Sequence, residues 1–234
     1  MKVGIFLSYV GLGSNLLHLS YCHEIAKKYG PVSVVTICKN LEEAISDDPL
    51  IKEVIYIDKY YKRIFDIFKL SKVLKKYNFE SFFIFYPSVR FFLASKISGI
   101  KNIYTYPFFK KKNLHLVKTA QKFVKENINI STCPTESKFY IDEAKKKTAE
   151  EKFDKSKKNI VIGAGSSGPS TKWGERNYIN LINKINEKDN YFFYILCGPD
   201  ESEISDKIIN SLNKKNCISL SKKKIGELIP ILSL

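Results

Sequence analysis

The sequence predicts an α/β protein built on two parallel, doubly wound sheets. Three observations carry this expectation. Short, largely apolar runs at 3–7, 32–37, 54–57, 82–85, 160–162 and 191–196 are rich in β-branched and aromatic residues, the composition of strands buried on both faces. Segments with helical spacing separate these runs, as the crossovers of a parallel sheet require. A charged stretch, KKKTAEEKFDKSKK, interrupts the alternation, and it divides the chain into domains over 1–150 and 151–234.

The elements follow in order. The first strand, at 3–7, turns at Gly11-Leu12-Gly13 into one helix carrying Leu16, Leu17, Leu19, Ile25 and Ala26. Tyr29-Gly30-Pro31 stops that helix, since glycine suits the closing conformation and proline cannot continue it. Strands at 32–37 and 54–57 precede a helical pattern over 60–76, then a strand at 82–85, a helix at 91–97 and a short strand at 103–104. A helix over 113–127 and a charged linker over 137–158 complete the first half. The second half reads as a strand at 160–162, a helix from about Glu175, a strand at 191–196, a helix at 203–212, a strand at 217–220 and a helix at 223–232.

Composition narrows the partners. The 234 residues are 44% hydrophobic, enough for a sizeable core, and carry a formal charge of +15. Nearly all the positive charge is lysine; the arginines are Arg63, Arg90 and Arg176. Nucleic-acid sites lean on arginine for bidentate contacts, so a solvated basic surface is expected and no nucleic acid, with peripheral contact to an anionic membrane allowed. Cys22, Cys38, Cys133, Cys197 and Cys217 are scattered and odd in number, which fits reduced thiols in a cytoplasmic protein. No apolar run reaches the roughly 20 residues of a membrane span, and the N-terminus reads as a strand, so a cytoplasmic protein, at most peripheral on the inner face of the membrane, is expected.

The most informative stretch is NIVIGAGSSGPSTKWGERNYINLINKI, from Asn159. A strand, a Gly/Ser loop, Lys172 and a helix follow one another. This is how open α/β sheets present backbone N–H groups and a helix N-terminus to an anion. We read it as a diphosphate cradle. Gly163, Gly165 and Gly168 also spell GxGxxG, the dinucleotide fingerprint, which keeps a dinucleotide-dependent oxidoreductase as an alternative. That motif needs the helix to open on the glycines, whereas Pro169 and Gly174 delay it to about Glu175.

These residues resemble glycosyltransferase family 9, the heptosyltransferases. The family's Gly/Ser turn, Lys-Trp and Glu-Arg-(aromatic) helix start appear here as Gly165-Ser166-Ser167, Lys172-Trp173 and Glu175-Arg176-Asn177-Tyr178. Its Gly-Gly-Pro-x-Glu element is matched by Cys197-Gly198-Pro199-Asp200-Glu201. The resemblance implies a GT-B-like architecture of two Rossmann-like parallel-sheet domains. The second is expected to be incomplete, because family members continue past the helix at 223–232 into a further strand and donor loop. It implies transfer of a heptose or hexose from a nucleotide-sugar to a lipopolysaccharide or other lipid-linked or polysaccharide surface acceptor. No obligatory cofactor or metal is implied. Donor contacts would be Gly165, Ser166, Ser167, Lys172, Gly198, Asp200 and Glu201, with helix capping the alternative for Asp200 and Glu201. Gly13 and His115 fall on the acceptor side, and a ligand cleft is expected between 11–15 and 163–172.

The family's N-terminal turn ends in an Asp thought to act as general base on the acceptor hydroxyl. An ungapped alignment puts Ser14 there, with Asn15 beside it, and His18 one helical turn on as a substitute base, with an outward or core-satisfied histidine the alternative. Little or no transfer by this chain is therefore expected, and an inactive relative that binds nucleotide or glycan is the alternative.

Overall fold

The computed structural model describes residues 1–58, 66–108, 115–151, 153, 156–166, 172–187, 190–212 and 216–234. They form two compact units, Met1–Tyr140 and Ile141–Leu234.

Unit 1 is built on five strands: β1 (Val3–Leu7), β2 (Val32–Thr36), β3 (Ile51–Tyr56), β4 (Ser81–Ile84) and β5 (Asn102–Thr105). They lie in the order β3-β2-β1-β4-β5, and every pairing is parallel. In the central strands β1, β2 and β4 every residue is buried, which is why they read as predominantly apolar runs. Strand order reverses between β1 and β4, where Ile5 pairs with Val34 on one side and Phe83 on the other. In such sheets ligands sit outside the carboxyl ends at this switch point.

The single helix expected after β1 is two, α1 (Leu12–Leu16) and α2 (Leu19–Tyr29), broken at Leu17 and His18. Helix α2 buries Leu19, Tyr21, Cys22, Ile25 and Ala26 and ends on Gly30 at φ 88, in the left-handed region that favours glycine. A short α3 (Leu41–Ala44) has no counterpart in the sequence reading. Then come α4 (Asp66–Lys75), α5 (Val89–Ile97) and α6 (Leu116–Ile128). The expected starts of the fourth and sixth helices, at 60 and 113, lie outside the described residues. One face of the sheet packs Phe6, Phe82 and Ile84 with Leu70 and Leu74 of α4.

Unit 2 holds α7 (Glu143–Glu150), β6 (Lys158–Gly163), α8 (Glu175–Asn186), β7 (Tyr191–Leu196), α9 (Ser202–Ser211), β8 (Cys217–Ser219) and α10 (Ile225–Leu232). Its strands pair in parallel in the order β6-β7-β8. Ile162, Phe193 and Ile195 pack with Ile182 of α8 and Ile208 of α9. The boundary between units falls at Tyr140 and Ile141, before the expected 150/151. Helix α7 is charged on its surface, yet Ala149 is buried with Tyr194, Leu220, Leu228 and Ile231, so it folds with the second unit. All five cysteines are buried and free, and no helix among the described residues is long and apolar enough to cross a membrane.

Candidate functional site

Strand β6 ends at Gly163 and its chain lies directly against the end of β7. A Cβ on Gly165 would sit 3.1 Å from both Cys197 Cα and Gly198 N and would meet the Glu201 carboxylate, so a side chain here would crowd the end of β7 and displace Glu201. After Gly198 a 3-10 turn, Pro199–Glu201, is closed by the Glu201 N–H donating to the Gly198 carbonyl at 2.9 Å. That turn aims Glu201 back toward β6. Its Oε1 accepts the Ser166 N–H at 3.2 Å and pairs with Lys172 Nζ at 2.8 Å. The Lys172 hydrogen bond, and after it the Ser166 N–H, hold the Glu201 carboxyl below the usual carboxylate range.

Lys172 is still 41% exposed along its side chain, so the ammonium faces both its partner and solvent. An ammonium carries three donors, and Glu201 occupies one direction only. Next to it, Gly174 at φ 91 lets the chain enter α8, which begins at Glu175 as the spacing predicts. Tyr178 of α8 donates its hydroxyl to the Gly163 carbonyl at 3.2 Å and meets the exposed Trp173 ring edge-on at 5.1 Å. The helix start is thus tied to the strand end. The structure brings together Gly165, Ser166, Lys172, Gly198 and Glu201. Asp200 is exposed on the adjoining turn, and Ser167 lies outside the described residues. The capping alternative does not hold for Glu201, whose side chain makes no cap hydrogen bond to α9.

The corresponding loop of unit 1 is organised otherwise. Asn15 is fully buried, its Nδ2 donating to the Tyr9 carbonyl at 2.8 Å and the Gly11 carbonyl at 2.7 Å. Its Oδ1 accepts from Thr36 Oγ1 at 3.2 Å, which ties the loop to the end of β2. His18 is 1% exposed and its Nδ1 lies 2.7 Å from the Ser14 carbonyl. A carbonyl can only accept, so Nδ1 carries the proton and Nε2 the lone pair. Nε2 finds no partner among the described residues, and the rings of Tyr9, Tyr21 and Phe85 lie around the imidazole with centroids 4.9, 5.8 and 5.5 Å from its own. Burial pushes the His18 pKa down against the opposing pull of the Ser14 carbonyl. Asn15 and His18, expected as candidate catalytic groups, are therefore structural: their polar atoms are spent on the fold or sealed from solvent. Ser14 is half-buried and contributes its carbonyl to His18.

The acceptor-side candidates are also plain in the structure. Gly13 sits in α1 with open space where a side chain would go, so nothing in the backbone demands glycine there. His115 caps α6, its Nδ1 accepting the Val117 N–H at 3.4 Å. Two features escaped the sequence reading. Asp48 accepts the Leu50 N–H at 3.0 Å with one oxygen and pairs with buried His23 at 2.6 Å with the other. The second is a cleft of about 370 Å³ at the carboxyl ends of β1 to β4, lined among others by Ser8, Tyr9, Asp58, Tyr86, Ser88 and Arg90. The position of Asp58 directly after the apolar run at 54–57 was the available signal.

Comparison with known proteins places this arrangement. The model of glycosyltransferase family 9 (heptosyltransferase) matches residues 100–234, more than half of the chain. No curated protein matches the sequence. Among solved structures, E. coli ADP-heptose lipopolysaccharide heptosyltransferase II superposes with a TM-score of 0.73 at 14% identity, covering 100% of this chain and 76% of that one. A family 9 glycosyltransferase from Veillonella parvula gives 0.72 at 16% identity, covering 99% and 73%. E. coli heptosyltransferase WaaC, solved with ADP-2-deoxy-2-fluoro heptose, gives 0.72 at 12% identity, covering 100% and 80%. At these identities the superpositions establish the fold, a pair of parallel-sheet units of the GT-B kind, and the match to the family model establishes kinship. The chain belongs to glycosyltransferase family 9.

Proposed function

We propose that the Lys172–Glu201 cradle of unit 2 binds the diphosphate and ribose of a nucleotide-sugar. The protein then passes the sugar, a heptose or hexose, to a lipopolysaccharide or other surface-glycan acceptor. The observation that carries this reading is the 2.8 Å pair between Lys172 and Glu201, set at the carboxyl ends of two parallel strands and beside the Gly165 close approach. Glu201 orients the ammonium without using all its donors. Departure of a nucleoside diphosphate builds negative charge on its terminal phosphate, and a cation already oriented there stabilises that charge at no further reorganisation cost. The second oxygen of Glu201 suits a ribose hydroxyl. The similar E. coli proteins, named for ADP-heptose or solved with its fluoro analogue, make an adenosine diphosphate sugar the first donor to test. The basic surface suits work at the cytoplasmic face of an anionic membrane.

A second reading, a relative that binds nucleotide without turnover, is favoured by the engagement of Asn15 and His18 in the fold. The dinucleotide reading loses ground because α8 opens at Glu175, well past the glycines. The deciding experiment incubates the protein with ADP-heptose and a lipopolysaccharide core preparation, following ADP release and heptose incorporation together. We expect both, and only with acceptor present. ADP binding without incorporation would favour the non-catalytic reading, and NADH binding without ADP binding would favour the oxidoreductase.

A further inference from the structure

Resting on the surface-glycan part of the transferase reading above, we infer that the outer side of α5, with α4 beside it, docks the protein on an anionic lipid bilayer. Helix α5 is apolar on two opposite sides. Its inner side buries Phe91 and Ala94 in the cluster that holds Leu70 and Leu74 of α4 and Phe82 of the sheet. An ordinary surface helix then turns polar and charged residues outward. Here the outward side carries Val89, Leu93 and Ile97, which are 53, 41 and 50% exposed. Their spacing of four residues sets them in one stripe along the helix.

Positive charge borders that stripe and continues onto the next helix. At ~100° per residue, Lys96 falls at one edge of the stripe and Arg90 at the other. On α4, Phe68 is 59% exposed, and Lys72 and Lys75 share its side of the helix. The two helices hold Lys69, Lys72, Lys75, Arg90 and Lys96 against one acid, Asp66, which is buried and lies 3.6 Å from Lys69.

A helix that lies on a bilayer sinks apolar side chains to the acyl boundary and keeps its cations among the headgroups, where anionic lipid supplies the complementary charge. A stable protein interface instead takes about 20–30 residues a side. The stripe with Phe68 is far smaller than that, and lysine surrounds it. The placement also serves the reaction. Tyr86, Ser88 and Arg90, at the start of α5, line the cleft at the carboxyl ends of β1 to β4, so docking through α5 brings that cleft to the surface where a lipid-linked acceptor resides.

The test is flotation of the whole protein with vesicles of phosphatidylcholine, alone or mixed with phosphatidylglycerol, beside ADP calorimetry. Binding is expected on the anionic vesicles only. Leu93→Gln with Ile97→Gln should weaken it at least ~tenfold, the loss that follows from no longer burying side chains of that size. Lys72→Gln with Lys75→Gln should weaken it ~30-fold at low salt and little at high salt. The control is Lys118→Gln with Lys122→Gln on α6, whose Phe123 packs on Phe83 at the other face of the sheet, and it should cost less than ~threefold. All three variants should melt with the parent and bind ADP equally. An equal loss in the α6 variant would assign the adhesion to net charge and overturn the proposal. So would a Leu93→Gln/Ile97→Gln protein that floats like the parent, or a parent that binds ADP but no anionic vesicle. A parent that avoids vesicles and forms a dimer split by that same double substitution would give the stripe to a second copy and overturn it too. Vesicle binding by a parent that fails to bind ADP keeps the docking surface and overturns instead the nucleotide reading.

Discussion

The loops that follow β1 and β6 occupy equivalent places in their units, yet they put their polar residues to opposite uses. After β1, Asn15 turns inward and bonds to the Tyr9 and Gly11 carbonyls and to Thr36, and His18 is sealed under three aromatic rings. After β6, Lys172 and Glu201 pair at the surface, with the Ser166 N–H as a further donor. The first loop spends its polarity on holding its own shape. The second keeps a cation oriented and accessible. Equivalent position in a fold therefore does not imply equivalent chemistry; what separates the two loops is burial. A buried polar group must find its partners inside the protein, and those partners are then unavailable to a substrate.

The comparison breaks most sharply through Asn15. Replacing it by Leu takes the donor from two part-buried carbonyls and the acceptor from the Thr36 hydroxyl proton, at about 2 kcal/mol in total. For a chain of this size that corresponds to a melting temperature lower by roughly 4–8 °C. Under the proposed function, with the nucleotide held by Lys172 and Glu201, ADP affinity should not change. Thermal melts and calorimetry of Asn15→Leu check both halves of the statement. An unaltered melting temperature would show that the loop after β1 is not organised through this side chain.

A smaller effect sharpens the other side. The Glu201 carboxyl sits below its ordinary value of 4.5 because Lys172 and the Ser166 N–H favour its charged form. A carboxyl whose folded pKa is depressed contributes stability above its unfolded pKa and loses it as the pH falls through the folded value. The pair is open to solvent, so the contribution to stability is small and best read spectroscopically. In a ¹³C NMR titration, Glu201 of the parent should titrate below 4.5 and move upward in Lys172→Ala. An unmoved titration would mean that Lys172 does not hold the carboxylate in solution.

Much of this architecture is legible in the chain because its causes are local. Strand β7 spans the same residues as the apolar run that predicted it, since it lies between β6 and β8 with its middle residues buried. The start of α8 was readable from Gly174, whose φ of 91 is open to glycine and costly for most other residues. The misplaced elements are those decided at long range. The charge of 145–147 marks a surface, but Ala149 beneath it packs against Tyr194 and Leu228, and no composition rule sees that burial. The break at Leu17 and His18 leaves the apolar spacing almost intact, so one helix and two look alike in sequence. The candidate site divides in the same way. Gly165, Lys172 and Glu201 could each be named from motif order, but their mutual contact depends on β6 and β7 lying side by side. The engagement of Asn15 in the fold, and the pairing of His23 with Asp48, were invisible for the same reason.

The claim at the centre of this account is that Lys172 is the cation that meets the donor diphosphate, and ADP binding measures it without requiring any acceptor. Titration calorimetry of the parent and of Lys172→Ala, at low and at moderate salt, isolates the contribution of that one charge. Removing a charged hydrogen bond from a diphosphate site costs ~1.5–3 kcal/mol, so Lys172→Ala should bind ADP roughly ten- to hundredfold more weakly while melting at the parent temperature. Equal ADP affinity in the two proteins would contradict the account and move the nucleotide away from the Lys172–Glu201 pair.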